Sequence, residues 1–249
     1  MKKTEVIISH RIILALLLAV GILLLGDTYV QRAAKEHAVY TMGQQEDRPV
    51  VLLDAGHGGM DGGAISSNGA LEKEINLSIA QKLKRLLEQN DVAVVMTREE
   101  DKDLASEHAS NRKNEDLRAR IALLNETEPA LMVSIHQNSY PEEDVDGAQV
   151  FYYSGSPEGK LLGGMVQESL KREIADGNHR VAKGNKDYYL LKKSTCPAVI
   201  VECGFLSNPA EAALLATEEY QEKIAFAIHL GILEYLNCGV AAGEAEETK

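Results

Sequence analysis

The amino-acid sequence predicts an α/β fold with six strands in a mostly parallel sheet. Between residues 50 and 236, short β-branched or apolar runs alternate with amphipathic stretches of helical length, which is typical of α/β proteins. Several predicted strands are wholly apolar, which indicates that helices cover both faces of the sheet, as they do in parallel sheets. The 249 residues, 45% of them hydrophobic, suffice for a sizeable core in one large domain or two small ones.

Each element is predicted from its own stretch of sequence. The first three strands follow from VVLLD, VAVVMT and LMVSIH, and the helices between them from the amphipathic stretches 73–89 and 114–125. The fourth strand, AQVFYY, precedes a helix at 160–174, and the last two, YYLL and AVIVE, precede helices at 207–216 and 218–236. The six strands are therefore expected at 50–54, 92–97, 131–136, 148–153, 188–191 and 198–202.

Residues 1–30 are predicted to be an export segment. Lys2, Lys3 and Arg11 precede an uninterrupted apolar run at 12–25, and this charge bias puts the N-terminus in the cytoplasm. The run spans roughly 21 Å as a helix, less than the ~30 Å core of a bilayer, which favours a signal peptide. No A-x-A-like cleavage site follows it, so we favour an uncleaved signal anchor. With either segment the domain is exported, to the outer face of the membrane or the cell wall.

The rest of the chain divides by composition. Residues 31–48 are polar and weakly patterned and are predicted to link the membrane segment to a folded domain at 49–237. Residues 238–249 are expected to form a flexible acidic tail. The formal net charge of −12 disfavours a nucleic-acid partner, because binding to phosphates depends on clustered Lys and Arg.

The three cysteines have no CxxC spacing and are odd in number. Cys196, Cys203 and Cys238 therefore suggest neither a disulfide framework nor a thiolate zinc cluster, and free thiols are expected.

The stretch VLLDAGHGGMDGGA, residues 51–64, places five glycines around one histidine directly behind the first strand. It does not fit the dinucleotide motif G-x-G-x-x-G, because Asp61 occupies the position of the third glycine, and it lacks the G-K-[ST] ending of a P-loop. Glycine also allows backbone to approach a side chain closely, here that of His57. His57 follows the carboxyl end of a strand, which is the edge where open α/β sheets bind ligands.

Three more polar residues are predicted to lie at this edge. His136 ends the third strand, Glu202 ends the sixth, and Glu72 precedes the first helix. Two imidazoles and one carboxylate suit a catalytic zinc ion, which keeps its fourth position for water, and a second carboxylate can act as general base. Residue spacing does not assign the two glutamates between these roles. Each residue alone also fits a structural role, such as a hydrogen-bonded histidine or a glutamate at a helix N-terminus.

Two aspartates near His57 have alternative interpretations. Asp54 and Asp61 could orient a ligand imidazole, but turn chemistry explains an aspartate among glycines equally well.

Six ordered motifs together resemble a known family, the zinc-dependent N-acetylmuramoyl-L-alanine amidases that cut bacterial peptidoglycan. The match covers nearly all of residues 50–236. The motifs are Asp54-Ala-Gly-His57-Gly-Gly with Asp61 and Gly63, Leu71-Glu72-Lys73-Glu-Ile-Asn76-Leu, Thr97-Arg98, Leu117 with Arg120 and Asn125, Ser134-Ile-His136-Gln-Asn138, and Pro197-Ala-Val-Ile-Val-Glu202-Cys-Gly204-Phe-Leu-Ser-Asn208-Pro.

The resemblance implies a single α/β domain at 49–237 with one zinc ion. By the matching motif positions, His57, Glu72 and His136 would be the metal ligands and Glu202 the catalytic glutamate. The implied reaction is hydrolysis of the amide that joins the lactyl group of N-acetylmuramic acid to L-alanine.

Two residues depart from the usual family pattern. Most members have alanine where this chain has Gln137, a feature that resembles the spore-cortex branch, whose members act on the way to muramic δ-lactam in sporulation and germination. Cys203 stands where a small or hydroxylic residue is more usual, and it leaves Glu202 intact.

Two other functions remain open at this point. A zinc peptidase acting within the stem peptide would share the site, and a wall-binding protein could keep the fold without the chemistry. Since no wall-binding repeat is recognisable, the resemblance also suggests an activating protein partner, besides the membrane and the peptidoglycan substrate.

Overall fold

The computed structural model describes residues 26, 31–32, 48–66, 68–175 and 177–247. Residues Pro49–Lys249 form one compact unit. Apart from residue 26, the predicted export segment lies outside the described residues, and so does most of the predicted linker. Within the described ranges, no helix is both long enough and apolar enough to cross a bilayer.

The sheet has six strands and is mostly parallel, which confirms the predicted fold class. Its spatial order is β2-β1-β3-β6-β4-β5, and every neighbouring pair is parallel except β4 and β6. The strands are β1 (Val50–Ala55), β2 (Ala93–Met96), β3 (Leu131–Asn138), β4 (Gln149–Tyr153), β5 (Lys183–Asn185) and β6 (Ala198–Phe205).

Helices lie between the strands and after the last one, within a few residues of most predicted positions. They are α1 (Glu72–Glu88), α2 (Arg112–Thr127), α3 (Pro157–Ile174), α4 (Tyr189–Lys193), α5 (Pro209–Leu215) and α6 (Glu218–Glu247). Side-chain caps define three starts: Asn111 accepts from Asn114 N, Ser156 from Gly159 N, and Asn208 from Ala210 N. The last helix continues past the predicted end at residue 236, so the boundary predicted for the tail, at 238, falls within α6.

Both faces of the sheet are covered, as the wholly apolar strands predict. Val51 and Leu53 of β1 point into a large core with α1, α3, α5 and α6. Leu52 points to the other face, where it joins Met132 and Ile200 in a smaller core with α2 and α4. Since successive side chains of a strand alternate between faces, a strand buried on both sides needs no polar positions.

One strand prediction is wrong. Residues 188–191 are not a strand, because Tyr189–Lys193 form the short helix α4, and the fifth strand is instead Lys183–Asn185. A short apolar run does not distinguish a strand from a helical turn, and here Leu190 and Leu191 are buried in the smaller core from a helix. The true strand is a polar edge strand of three residues, which has no apolar pattern to reveal it.

A buried ion pair ties α2 to the sheet just below the carboxyl ends of β1 and β3. Arg120 binds the Asp54 carboxylate, and both side chains are almost fully buried. The Thr97 hydroxyl donates to the Asp54 carboxylate at 2.8 Å. The hydroxyl of Ser134, the residue paired with Asp54 on β3, also donates to this carboxylate. Burial by itself raises the pKa of Asp54, but the Arg120 charge and the Ser134 hydroxyl outweigh it and lower the pKa to about 2. Asp54 is therefore ionised at neutral pH.

Replacing Arg120 by methionine leaves the Asp54 carboxylate buried without its cation. We expect Arg120→Met to lower the free energy of unfolding by about 3–5 kcal/mol, the usual cost of removing one partner of a buried ion pair. Urea denaturation followed by circular dichroism measures the loss. Arg118→Met, at an exposed position of the same helix, is the matched control and should change stability by less than about 0.5 kcal/mol. Equal losses in both variants would contradict the importance of the buried pair.

Candidate metal centre

The four predicted site residues meet at one edge of the sheet. His57 lies two residues beyond β1, His136 is in β3, Glu202 is in β6, and Glu72 is the first residue of α1. The strands β1, β3 and β6 are neighbours and parallel, so their carboxyl ends share this edge. The structure thus brings together all four side chains that the sequence singles out.

Three of the four side chains place a donor atom around a common point. Oε1 of Glu72 lies 3.2 Å from Nε2 of His57 and 3.0 Å from Nδ1 of His136. The two imidazole rings are edge to face, with centroids 4.9 Å apart, and one donor atom from each of the three residues lies within 4.8 Å of the others. Among the described residues, this is the one group of three or more His, Cys, Asp or Glu side chains with such spacing.

Two glycines make room for this cluster. A Cβ atom on Gly56 would collide with the imidazole of His136, and one on Gly63 would collide with the carboxylate of Glu72. Gly63 also has a φ of +69°, which residues with a side chain adopt at a cost. The density of glycine around His57 therefore has a steric reason: the backbone passes directly beside two of the site's side chains.

His57 itself has a left-handed backbone, which a neighbouring cation holds in place. Its φ is 61°, a conformation uncommon for residues other than glycine. Nη2 of Arg120 donates to the His57 carbonyl at 2.8 Å. The buried ion pair below the site is thus connected to the loop that carries the first imidazole.

Asp61 orients the imidazole of His57. Its Oδ2 lies 2.9 Å from Nδ1 of His57, which leaves Nε2 facing Glu72. Burial lowers the pKa of His57, but the carboxylates of Glu72 and Asp61 outweigh burial and raise it. A carboxylate on the far nitrogen is the usual arrangement for a metal-binding histidine. Asp54, the other aspartate considered, contacts Arg120 and hydroxyl groups instead.

The Glu72 carboxylate is buried and held from several sides. Oε2 accepts from the backbone N–H of Ala64 at 2.8 Å, and Oε1 accepts from that of Gln137 at 3.1 Å and from Nδ2 of Asn76 at 3.3 Å. Burial raises the pKa of Glu72, but the nearby imidazoles, His136 first, hold it well below its usual range. Glu72 is therefore an ionised acceptor in one fixed orientation.

Glu202 stands beside this cluster on the neighbouring strand. The register of β3 and β6 pairs it directly with His136. The residue is 8% exposed, and within the described residues its Oε2 is buried without a hydrogen-bond partner. Burial raises the pKa of Glu202; His136 opposes this rise and Glu72 adds to it. A carboxylate with an unpartnered oxygen and a raised pKa is suited to accepting a proton.

A cavity of about 290 Å³ is lined by three of the four side chains, His57, His136 and Glu202. Several of its other lining residues, among them Tyr188 and Lys113, are not singled out by the sequence. Tyr188 precedes α4 at a position where a strand was predicted, and Lys113 lies in the first turn of α2 amid a charged stretch, so neither carried a distinguishing pattern. The lining residues are Asp54, Gly56, His57, Asp61, Lys113, Asp116, Leu117, Arg120, His136, Tyr188, Tyr189, Leu190, Ile200 and Glu202.

The cysteines contribute no ligand to this centre. Cys196, Cys203 and Cys238 are all free thiols, as expected. Cys203 is buried beside Glu202, and burial raises the pKa of its thiol, so it is a neutral core residue.

The donor set is chemically suited to zinc. Zinc bonds of about 2.0–2.2 Å in a tetrahedral arrangement separate neighbouring ligand atoms by about 3.3 Å. The 3.0 and 3.2 Å distances from Glu72 to the two imidazole nitrogens match this value. Three protein ligands would leave the fourth position of a zinc ion to water or substrate.

Comparison with known proteins identifies the family. Residues 51–234 match the N-acetylmuramoyl-L-alanine amidase family. The germination-specific N-acetylmuramoyl-L-alanine amidase of Bacillus subtilis is 42% identical over 189 residues, 75% of this chain and 79% of that protein. A structure of the CwlD amidase from Clostridioides difficile in complex with the GerS lipoprotein is 41% identical, with a TM-score of 0.75 over 77% of this chain and 100% of that one. An N-acetylmuramoyl-L-alanine amidase from Clostridium difficile 630 is 31% identical, with a TM-score of 0.68 over 77% of this chain and 98% of that one. This chain therefore belongs to the N-acetylmuramoyl-L-alanine amidase family, as its ordered motifs predict.

Proposed function

We propose that this chain hydrolyses the amide between the lactyl group of N-acetylmuramic acid and L-alanine in peptidoglycan, with zinc held by His57, Glu72 and His136. Glu202 is the general base. One observation carries the proposal: two imidazoles and an ionised carboxylate converge on one point, and a second buried carboxylate stands on the adjacent strand. Membership of the amidase family supports the choice of substrate.

The protein groups around the metal position have separate tasks. A bound zinc ion supplies Lewis acidity, which activates water and polarises the scissile carbonyl at neutral pH. Asp61 holds the tautomer of His57 in which Nε2 is free to bind the metal. The backbone donors on Glu72 keep its carboxylate aimed at the same point.

Glu202 transfers a proton in the reaction. It accepts the proton of the attacking water and passes it to the nitrogen of L-alanine as the C–N bond breaks, so the peptide leaves as an amine. Burial raises the pKa of Glu202 above that of an exposed glutamate, which suits a group that must both take and return a proton.

We infer a role in the spore cortex, where removal of the stem peptide precedes muramic δ-lactam formation and germination. The supporting relative is the Bacillus subtilis amidase, described as germination-specific. The CwlD amidase is in complex with the GerS lipoprotein, and we propose that this chain also has a protein partner. Its place of action is outside the cytoplasmic membrane, with residues 1–30 as export segment or anchor.

Glu202→Gln keeps the shape of the side chain and removes its basicity. We expect the zinc content to stay at one ion per chain and kcat on muropeptides to fall by about 10²- to 10⁴-fold, the usual contribution of general acid–base catalysis. Metal analysis and a turnover assay on the same preparation measure both. Glu219→Gln, at an exposed position of α6, is the control and should retain full activity. A Glu202→Gln variant as fast as the parent would remove Glu202 from the mechanism.

His136→Ala removes one of the three proposed ligands. We expect the zinc content of the purified variant to fall well below one ion per chain, because only two of the three protein ligands of a catalytic zinc site remain. His108→Ala replaces an exposed histidine in the charged loop and should leave the zinc content unchanged. Full zinc occupancy in His136→Ala would place the metal elsewhere in the protein.

The products of peptidoglycan digestion separate an amidase from a stem-peptide peptidase. We expect mass spectrometry to find glycan fragments with free lactyl carboxyl groups and intact stem peptides that begin with L-alanine, and a chelator to abolish both. Shortened stem peptides still attached to muramic acid would identify a peptidase instead.

A further inference from the structure

A chain of two side-chain amides leads from the interior of the protein to Glu72. Nε2 of Gln137 donates to Oδ1 of Asn76 at 3.1 Å, and Nδ2 of Asn76 donates to Oε1 of Glu72 at 3.3 Å. Nδ2 of Asn76 also donates to the carbonyl of Gly56 at 3.1 Å. Asn76 is fully buried and Gln137 is 4% exposed, so water does not compete with these bonds.

The chemistry of the acceptors fixes the direction of every bond in this chain. The Gly56 carbonyl and the ionised Glu72 carboxylate only accept hydrogen bonds, so Asn76 must turn its NH₂ group toward both. Its Oδ1 then faces Gln137, so the NH₂ group of Gln137 must donate to it. A side chain without a donor at position 137 would leave Oδ1 of Asn76 buried without this bond and the amide of Asn76 without its fixed orientation.

We propose that Gln137 is a positioning residue for Glu72 and that its side chain acts on Glu72 through Asn76. The inference rests on the proposed zinc site, because Oε1 of Glu72 is the oxygen that faces both imidazoles. By holding the amide of Asn76, Gln137 keeps that oxygen aimed at the metal position and so raises the affinity for zinc. The expected contribution is about 10- to 100-fold in zinc affinity, the range found when partners of metal ligands are removed.

Gln137→Met is the direct test. Methionine has a similar length and no donor, and the backbone N–H of residue 137 that binds Glu72 is unchanged. The Oε1 atom of Gln137 has no hydrogen-bond partner among the described residues, and the substitution removes the bond that Nε2 donates to Asn76. Competition with a chromophoric chelator, using the full chain and zinc alone, measures the dissociation constant for zinc. We expect it to rise by about 10- to 100-fold.

Gln167→Met is the matched control. Gln167 is another fully buried glutamine with two hydrogen bonds, to Val150 N and to the Ala148 carbonyl, and it does not line the cavity. We expect this control to lower the melting temperature without changing the dissociation constant for zinc. The comparison separates a loss of stability from a loss of ligand positioning.

A double-mutant cycle tests the route through Asn76. In the Asn76→Ala background, Gln137→Met should have no further effect on the dissociation constant for zinc, because the intermediate amide is absent. The absorption spectrum of the Co²⁺-substituted protein should change in Gln137→Met and stay unchanged in Gln167→Met. If Gln137→Met does not fold, Gln137→Ala, which also lacks the NH₂ group and adds no charge, replaces it in each measurement.

The outcomes distinguish this inference from the proposed function. If the parent protein binds zinc and Gln137→Met binds it with equal affinity, the inference is wrong and the proposed zinc site stands. Additive effects of the two substitutions overturn the route through Asn76. A parent that binds no zinc overturns the proposed zinc site and this inference together.

Discussion

The parallel register of β1, β3 and β6 is the constraint on which the rest of the structure depends. It sets Ser134 opposite Asp54 and Glu202 opposite His136, so that polar side chains gather on one face at the carboxyl edge. Because side chains alternate along a strand, a slip of one residue would exchange this polar set with the apolar set of the opposite face. The apolar residues that fill both cores therefore also hold the register of the site.

Glu72 is the centre around which the remaining parts are arranged. A buried carboxylate is costly unless it is paired and hydrogen-bonded, and here two imidazoles, two backbone N–H groups and the amide of Asn76 surround it. Two of these partners come from the loop after β1 and two from β3, so the carboxylate links the strands to the start of α1. Such dense support fixes the orientation of the Glu72 carboxylate.

Prediction from sequence succeeded where a long or repeated pattern existed and failed where the signal was short. The apolar strands and amphipathic helices predicted the α/β fold, and the ends of three strands indicated His57, His136 and Glu202, which the structure places at one edge of the sheet. The run at 188–191 was misassigned because four apolar residues fit a helical turn as well as a strand, and β5 was missed because its three residues are polar. Tyr188 lines the cavity because of how α4 packs, and no local sequence pattern predicts this packing.

By itself, the sequence determined the fold class, the edge of the sheet at which chemistry collects, and, through ordered motifs, the family. The fold class and this edge follow from periodicity and from residue types at strand ends, which are local properties of the chain, whereas the family follows from the resemblance of the motifs. Only the tertiary structure decided which contacts those residues make: that Asp61 orients His57 whereas Asp54 pairs with Arg120, and that the side chain of Gln137 reaches Glu72 through Asn76. The partners in these contacts are up to 66 residues apart in the chain, so their meeting depends on strand register and helix packing.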